Sequence, residues 1–341
     1  MDLFPTPEQA LLADTAADFV ARSVDTDRVR ELEASDEGFD PGLWATMCDL
    51  GWTDLGPVEL ALVAEQLGRG AVPSPLVTTG ALRNALPALA AALPADAGAT
   101  LAALVPGATH EGAGPHPALD GATVTGRYLL VPYAPAARAL VVTTADGLAT
   151  VDPRAGGVTL GRQEVIGGDA CWRVDLEGAP ATPIPGDLGH VLDHLGVAAL
   201  AYTVGAAEGA LALSVQHAKD RHQFGRPIGS FQAVAHRCAD MRAEVEACRM
   251  LAWRAAWSLD QDAAGHGDRG RVRFAVDGAL AYANDALRRV AMHAHQVHGA
   301  IGFSTEHDLH LFTRRIKAFE LSYGGTALHQ DRFAASLGLR W

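Results

Sequence analysis

From about residue 188 onward the chain reads as long helices, roughly 188–220, 230–261, 271–298 and 307–321, and this feature restricts the folds open to it more than any other. Helices of that length bury their apolar stripes against one another, so the C-terminal part is expected to be a bundle. The preceding stretch has a different texture. Between about 100 and 187, "ATVTGRYLLVPY", "ARALVVTT", "GLATVDP" and "CWRVDLEG" are short β-branched runs set between Gly, Pro and Asp turns, which predicts a small antiparallel sheet domain. Residues 7 to about 95 are helical again. Thr6-Pro7-Glu8-Gln9 is a helix start, Leu11, Leu12, Ala16, Phe19 and Val20 keep to one face, and further helices are expected over 58–68 and 81–92. The expected architecture is mainly α with a central β domain: an N-terminal helical domain (1–98), a middle antiparallel β domain (99–187) and a C-terminal four-helix bundle (188–341).

Composition removes several function classes. The chain has 341 residues, a formal net charge of −13, and 20% charged against 49% hydrophobic residues. A surface of that sign is unsuited to gripping nucleic acid by its phosphates. Cys48, Cys171, Cys238 and Cys248 are widely spaced with no C-x-x-C pair, so a zinc ribbon or disulfide scaffold is not expected. The first residues carry carboxylates and no long apolar run, so no signal peptide is expected. The most apolar stretch, "GVAALAYTVGAAEGALALSVQHA", is mostly Ala and Gly, contains Glu208, and reads as a buried bundle helix rather than a membrane span. The expectation is a soluble, cytoplasmic protein.

Two stretches carry the local chemistry. In "RHQFGRPIGSFQ", residues 221–232, a long helix ends, Gly225 and Pro227 make a turn, and Ser230 is placed to cap the next helix. By its residues this is either a plain helix–helix corner or a corner that holds the Arg221 guanidinium rigidly for an oxyanion, to which it offers a planar fork of donors. In "QVHGAIGFSTEHDLHLFTRR" a helix ends near Gln296, and Gly299 and Gly302 permit close backbone approach, as a diphosphate against main chain requires. The plainer alternative is a glycine-terminated helix followed by a cap at Ser304 or Thr305.

Together these stretches resemble the acyl-CoA dehydrogenase family. Its pattern R-x-Q-F-G-x-P-I-x-x-F-Q is carried in full by Arg221, Gln223, Phe224, Gly225, Pro227, Ile228, Phe231 and Gln232. Its pattern Q-x-x-G-G-x-G-[FY] is matched by Gln296, Gly299, Gly302 and Phe303, with Ala300 at the second glycine. Arg314, Arg315 and Lys317 match the basic helix before the C-terminal signature. The resemblance implies FAD and a two-electron α,β-oxidation of an acyl thioester: a carboxylate removes the α proton while hydride leaves the β carbon for the flavin. It implies further that Arg221, Gln223, Phe224, Gln232, Gln296, Gly299, Ala300 and Thr326 touch the cofactor, the first group at the ADP end of a flavin whose ring lies mainly in a neighbouring subunit.

The chain departs from the family where chemistry is done. The family's base is the glutamate of a Tyr-Glu-Gly-Thr turn, and here that position holds Tyr323 or Gly324, depending on which end is aligned. The alternative seat, 26 residues before the corner arginine, is Leu195. Glu320 matches a structural glutamate, and Glu208 lies in mid-helix. Asp193 matches an aspartate that lies near the acyl-CoA in the family, although the neighbouring arginine is Gly196. His293, His295 and His298 are spread around a helix, and no metal site is expected from them. The flavin-ring loop Thr-Glu-Pro-x-x-Gly-Ser-Asp has no match in "LVPGATHEGAGPHPALDG", the Trp-Ile-Thr/Ser strand end is "LLVPYAP", and the N-terminal Pro-Glu-x-x-Gly-Gly-type loop is shortened. Losing a general base costs about 10²- to 10⁴-fold in rate.

The resemblance therefore implies the base-lacking subunit of a heteromeric dehydrogenase, like those of actinobacterial steroid side-chain degradation. Such a subunit would assemble as α2β2 with a catalytic acyl-CoA dehydrogenase subunit and act on a bulky, steroid-derived acyl-CoA. Two other readings stay open: altered chemistry on the same fold, hydratase-like or flavin monooxygenase-like, and a purely structural homo-oligomer.

Overall fold

The structure, a computed structural model, describes residues 4–102 and 117–339. Six helices come first: α1 Pro7–Ser23, α2 Thr26–Ala34, α3 Pro41–Asp49, α4 Pro57–Arg69, α5 Leu76–Ala85 and α6 Pro87–Ala92. Thr6 opens α1 with a complete capping box, its hydroxyl accepting from Gln9 N–H while the Gln9 side chain accepts from Thr6 N–H. The single helix expected over 81–92 is two helices, because Pro87 has no N–H to donate and disfavours helical backbone at Leu86, which sits at φ −130°.

Among the described residues eight strands follow: β1 Ala99–Ala102, β2 Leu119–Asp120, β3 Thr123–Pro132, β4 Ala139–Thr144, β5 Gly147–Val151, β6 Val158–Gln163, β7 Cys171–Pro180 and β8 Thr182–Ile184. They form two four-stranded sheets, ordered β1-β4-β5-β8 and β2-β3-β7-β6. Every pair is antiparallel as expected except β1 with β4, which run parallel. A parallel partner needs a long crossover, and β1 reaches β4 only after β2 and β3 have been laid into the other sheet. The proposed mismatch of the flavin-ring loop falls on 104–121, most of which lies outside the described residues.

The C-terminal helices are α7 Leu188–Asp220, α8 Gln232–Ala263, α9 Arg269–His298, α10 Leu309–Ser322 and α11 Gly325–Ser336, with the short strands β9 His222–Gln223 and β10 Arg226–Pro227 between α7 and α8. The bundle thus has a fifth helix beyond the four expected. Tyr323 and Gly324, the latter at φ +102°, separate α11 from α10; Gly325 opens α11 at φ +67°, and Phe333 of α11 packs its ring 4.8 Å from Phe274 of α9. Neither expected cap forms: Ser230 donates to Pro227 C=O instead of capping α8, and α10 starts at Leu309, with Asp308 at its cap position making no side-chain cap.

α7 is long and apolar enough to cross a membrane, and most of its apolar residues are buried inside the bundle. α4 lies against it with almost no gap. A Cβ added at Gly68 would sit 1.8 Å from Tyr202 C=O, and one added at Gly205 would sit 1.9 Å from Glu65 C=O. Glycine at both crossing points brings the two backbones together and fixes the N-terminal helices on the bundle. Glu65, Glu208 and Arg249 lock the same junction, with Arg249 donating to Glu65 at 2.7 Å and to Glu208 at 3.0 Å. The sheet unit docks through Phe39, whose ring meets Tyr133 edge-on at 5.7 Å, and through Arg162, which donates to Ser35 and Asp36 C=O.

Candidate active site and cofactor corner

Two regions hold the residues singled out from sequence. The first is the corner after α7. β9 and β10 pair as a tiny hairpin, Gln223 opposite Arg226, leaving Phe224 and Gly225 as a two-residue loop. Both loop residues have positive φ, +54° and +78°, as a primed hairpin turn demands. Glycine takes this conformation without penalty, whereas phenylalanine is strained by about 1–3 kcal/mol. The strain holds the Phe224 ring 92% exposed, with Phe231 edge-on to it at 6.0 Å. Arg221 is also exposed, and its guanidinium has no ion-pair partner among the described residues. Its backbone is held on both sides, N–H to His217 C=O and C=O from Ile228 N–H.

The end of α9 supplies the rest of this corner. Gln296 is exposed on its last turn, Gly299 turns the chain at φ +64°, and nothing lies within 4 Å of where a Gly299 Cβ would be. Ala300 follows, exposed. The His217 and His298 rings stack at 4.7 Å, which joins the last turns of α7 and α9 and brings the Arg221 and Gln296 stretches to one place. Gln232 opens α8 beside them, exposed, with its amide 3.3 Å from His236 Nε2. Phe303, Ile301 and Met292 are exposed around the same helix end.

Thr326 and Asp193 lie elsewhere. Thr326 is on the first turn of α11, whose His329 contacts Asp277, roughly 28 Å along α9 from Gln296 at 1.5 Å per residue. Asp193 is buried in α7, one carboxylate oxygen has no hydrogen-bond partner, and burial raises its pKa to about 6 against the pull of Arg273 and Arg269. Leu195 is buried in the core; Glu320 pairs with Lys317 at 3.0 Å and Glu208 with Arg242 at 2.9 Å.

The second region is a cavity of about 100 Å³ where the N-terminal helices, the sheet unit and the bundle meet. Tyr323 lines it, together with Tyr133, Asp169, Tyr202 and Arg315. These residues knit the three parts together. Arg315, 4% exposed, donates to Glu33 of α2 at 2.7 Å and to the Tyr202 hydroxyl at 2.8 Å, and Tyr202 donates onward to Val72 C=O. Arg314 also pairs with Glu33. Tyr133, strained at φ +52°, donates to Asp169 at 2.6 Å. Burial raises the Asp169 pKa while Arg315 opposes it, and burial likewise drives the Tyr323 phenol upward. At the alternative position for the lost base, Gly324 offers no side chain. The Tyr323 carbonyl is held from behind by His329 Nε2 at 2.6 Å, whose Nδ1 faces Asp277 at 2.8 Å.

Sequence reasoning placed Arg221, Gln296 and Tyr323 but missed this cavity network. Glu33 and Arg315 are 282 residues apart, and no local pattern links them. The only signal was Arg315 itself, a cation at an apolar position of α10.

The two regions differ in what they can hold. The corner presents an unpaired guanidinium, open glycine backbone and an outward aromatic ring, which suits a phosphate-bearing group lying on the surface. The cavity is several-fold smaller than the roughly 300–1,000 Å³ of ordinary cofactor pockets, and most of its polar wall groups are hydrogen-bonded to one another, Arg315 Nη2 and the Tyr323 hydroxyl excepted. Among the described residues it therefore does not fit a flavin ring with an acyl thioester.

A helical–sheet–helical chain with this corner defines one class of flavoenzyme fold, and sequence comparison agrees. Residues 189–338 match the family model described as "Acyl-CoA dehydrogenase, C-terminal domain". Acyl-CoA dehydrogenase IpdE2 of Mycobacterium tuberculosis is 33% identical, with 91% of each chain covered. Acyl-CoA dehydrogenase FadE27 of the same organism is 31% identical, covering 96% of this chain and 95% of the relative. Among solved structures, a chain of the ChsE4-ChsE5 complex from M. tuberculosis superposes with a TM-score of 0.85 at 26% identity over the whole of both chains. A chain of the Tcur3481-Tcur3483 steroid ACAD G363A variant gives 0.84 at 26%, over 97% of this chain and 98% of that one. The protein belongs to the acyl-CoA dehydrogenase family, FAD-dependent oxidoreductases that act on acyl-CoA thioesters.

Proposed function

We propose that this chain is the non-catalytic subunit of a heteromeric acyl-CoA dehydrogenase. It lends one end of the cofactor site to a partner that supplies the flavin-ring pocket, the base and the acyl-CoA site. The observation that carries this reading is the contrast between the open corner at Arg221, Gln223, Phe224, Gln296 and Gly299 and the closed, base-less cavity at Tyr323. FAD, when bound across the interface, supplies the hydride acceptor. Arg221 then neutralises diphosphate charge, the Gly299 backbone allows close approach, and Phe224 covers the cofactor's outer face.

The exposed Phe224, Phe303, Ile301 and Met292 give the same face an apolar character suited to a protein partner. The similarity to a chain of a steroid ACAD variant and to a chain of the two-component ChsE4-ChsE5 complex supports a bulky, steroid-derived acyl-CoA as substrate and an α2β2 assembly. We further place the complex in the cytoplasm.

The test is co-expression with candidate acyl-CoA dehydrogenase partners. The expected product is a stable complex with one FAD per pair of unlike subunits, and desaturase turnover that needs both. If this chain alone purifies with one FAD per subunit and turns over normally, the reading is wrong.

A further inference from the structure

His217, His298 and His307 form a contact group that neither the family match nor the proposed function uses. His298 stacks on His217 at 4.7 Å and meets His307 edge-on at 4.7 Å, so the group ties the last turns of α7 and α9 to the loop before α10. Arg221 lies one turn beyond His217, Gln296 two residues before His298, and Gly299 directly after it. A fourth ring, His295, stacks on Phe303 at 4.5 Å and clamps the 299–303 turn from the other side.

The hydrogen bonds assign the protons. His298 Nδ1 lies 2.8 Å from Ala294 C=O, an acceptor, so the neutral ring carries its hydrogen there. Its Nε2 is then a bare lone pair, buried and without a partner among the described residues, in a residue 5% exposed. His307 Nδ1 accepts from Leu309 N–H at 3.1 Å and is equally committed as a lone pair. His295 Nε2 meets the Thr313 hydroxyl, and its Nδ1 is buried without a partner. A second proton on His298 would create a buried N–H with no acceptor, beside two other imidazoles. Facing the group are Asp220 and Arg221 on α7 and His295 on α9; Asp220 is exposed to solvent and offers little compensation.

We propose that the His217–His298–His307 stack is the positioning element for the corner that presents Arg221, Gln296 and Gly299, and that it holds only while uncharged. Mild acid therefore loosens the corner and releases the cofactor end bound there. The proposal rests on the half-site reading for the identity of that ligand, but not for the joint itself. Burial lowers the pKa of His217 and of His295, and that of His298 to about 4, which agrees with the geometry. An opened His298 ring takes up its proton at about pH 6.5 instead of about 4, so at pH 5.5 its release alone favours the loosened state roughly tenfold.

The experiment uses the heteromeric complex isolated from its native cells through a tag on this chain. FAD dissociation constants are measured by fluorescence at pH 7.5 and 5.5, and amide hydrogen exchange, corrected for its intrinsic pH dependence, is followed over 217–225 and 295–303. The expected result is FAD binding at least tenfold weaker at pH 5.5, with faster exchange confined to those two stretches. In His298→Phe, which keeps a stacking ring but cannot charge, that ratio should fall below about threefold; His217→Phe serves as a second variant should the first not fold. A pH ratio near one with a protected corner, or an undiminished ratio in both variants, overturns the proposal. Acid-dependent exchange in a complex that binds no FAD at either pH would leave the joint standing and remove the half-site reading instead.

Discussion

The outer corner and the inner cavity, the two places where the family's motif positions fall, differ in how their side chains are used. At the corner, charged and aromatic groups face solvent: Arg221 is unpaired among the described residues and Phe224 is held outward by a strained backbone. At the cavity most comparable groups are turned inward and bonded to another part of the same chain, with Tyr133 on Asp169 and Arg315 on Glu33 and Tyr202, while Arg315 Nη2 and the Tyr323 hydroxyl have no partner among the described residues. On the function proposed above, the corner kept open at a cost in strain serves a group from outside the chain, and the cavity whose walls largely bond to each other serves as structure.

Four substitutions would break or sharpen that contrast. The largest effect is expected at the cavity. Arg315→Leu leaves the part-buried Glu33 with only Arg314 and unlinks three parts of the fold, so urea unfolding should show a loss of roughly 3–5 kcal/mol. A loss under about 1 kcal/mol would mean that the network is not structural. At the corner the expected split is reversed. Arg221→Gln should weaken FAD binding by the complex by about 10- to 100-fold while the melting temperature of the chain stays within about a degree, because a charge-assisted contact of about 1.5–3 kcal/mol is lost to a ligand and none to the fold.

Asp193→Asn gives a pH-dependent effect on the bundle, away from both the corner and the cavity lining. Its folded pKa, about 6, lies above the ordinary aspartate value near 4. The folded state therefore holds its proton longer, and a stability penalty absent below about pH 4 grows as pH rises through 6. The variant should be more stable by on the order of 2 kcal/mol at pH 7.5 and unchanged at pH 4, as read by urea midpoints at both. Buried histidines act in the opposite sense. His194 and His298, lowered to about 3 and about 4, are charged first in the unfolded chain, so acidification below about pH 6.5 should cost stability. The smallest effect belongs to Tyr323→Phe, whose hydroxyl has no hydrogen-bond partner among the described residues. Turnover of the assembled complex should be unchanged within about twofold and stability within about 0.5 kcal/mol. A large loss of turnover would give the phenol a task of its own.

Much of the corner was legible in the chain because its residues are contiguous. Helix end, glycine turn and arginine fall within "RHQFGRPIGSFQ", and the structure keeps that order, although Ser230 turned out to bond Pro227 rather than cap α8. The positive φ at Phe224 could not be read, since most aromatic residues in turns avoid it. Along the rest of the chain, helix α11 was missed because it has no capping side chain and follows a glycine pair that reads as a stop. The parallel β1–β4 pairing was missed because strand pattern reports burial, not partner.

By itself, the sequence determined the order of helical and strand segments, the local chemistry at Arg221 and Gln296, and the absence of a carboxylate at 323 and 324. These follow from periodicity and from neighbours along the chain, which sequence records directly. Tertiary structure alone decided that Tyr133, Asp169, Tyr202, Arg315 and Glu33 close the cavity and that three histidines share one joint. Both depend on contacts between residues as much as 282 positions apart, and only packing in three dimensions selects such pairs.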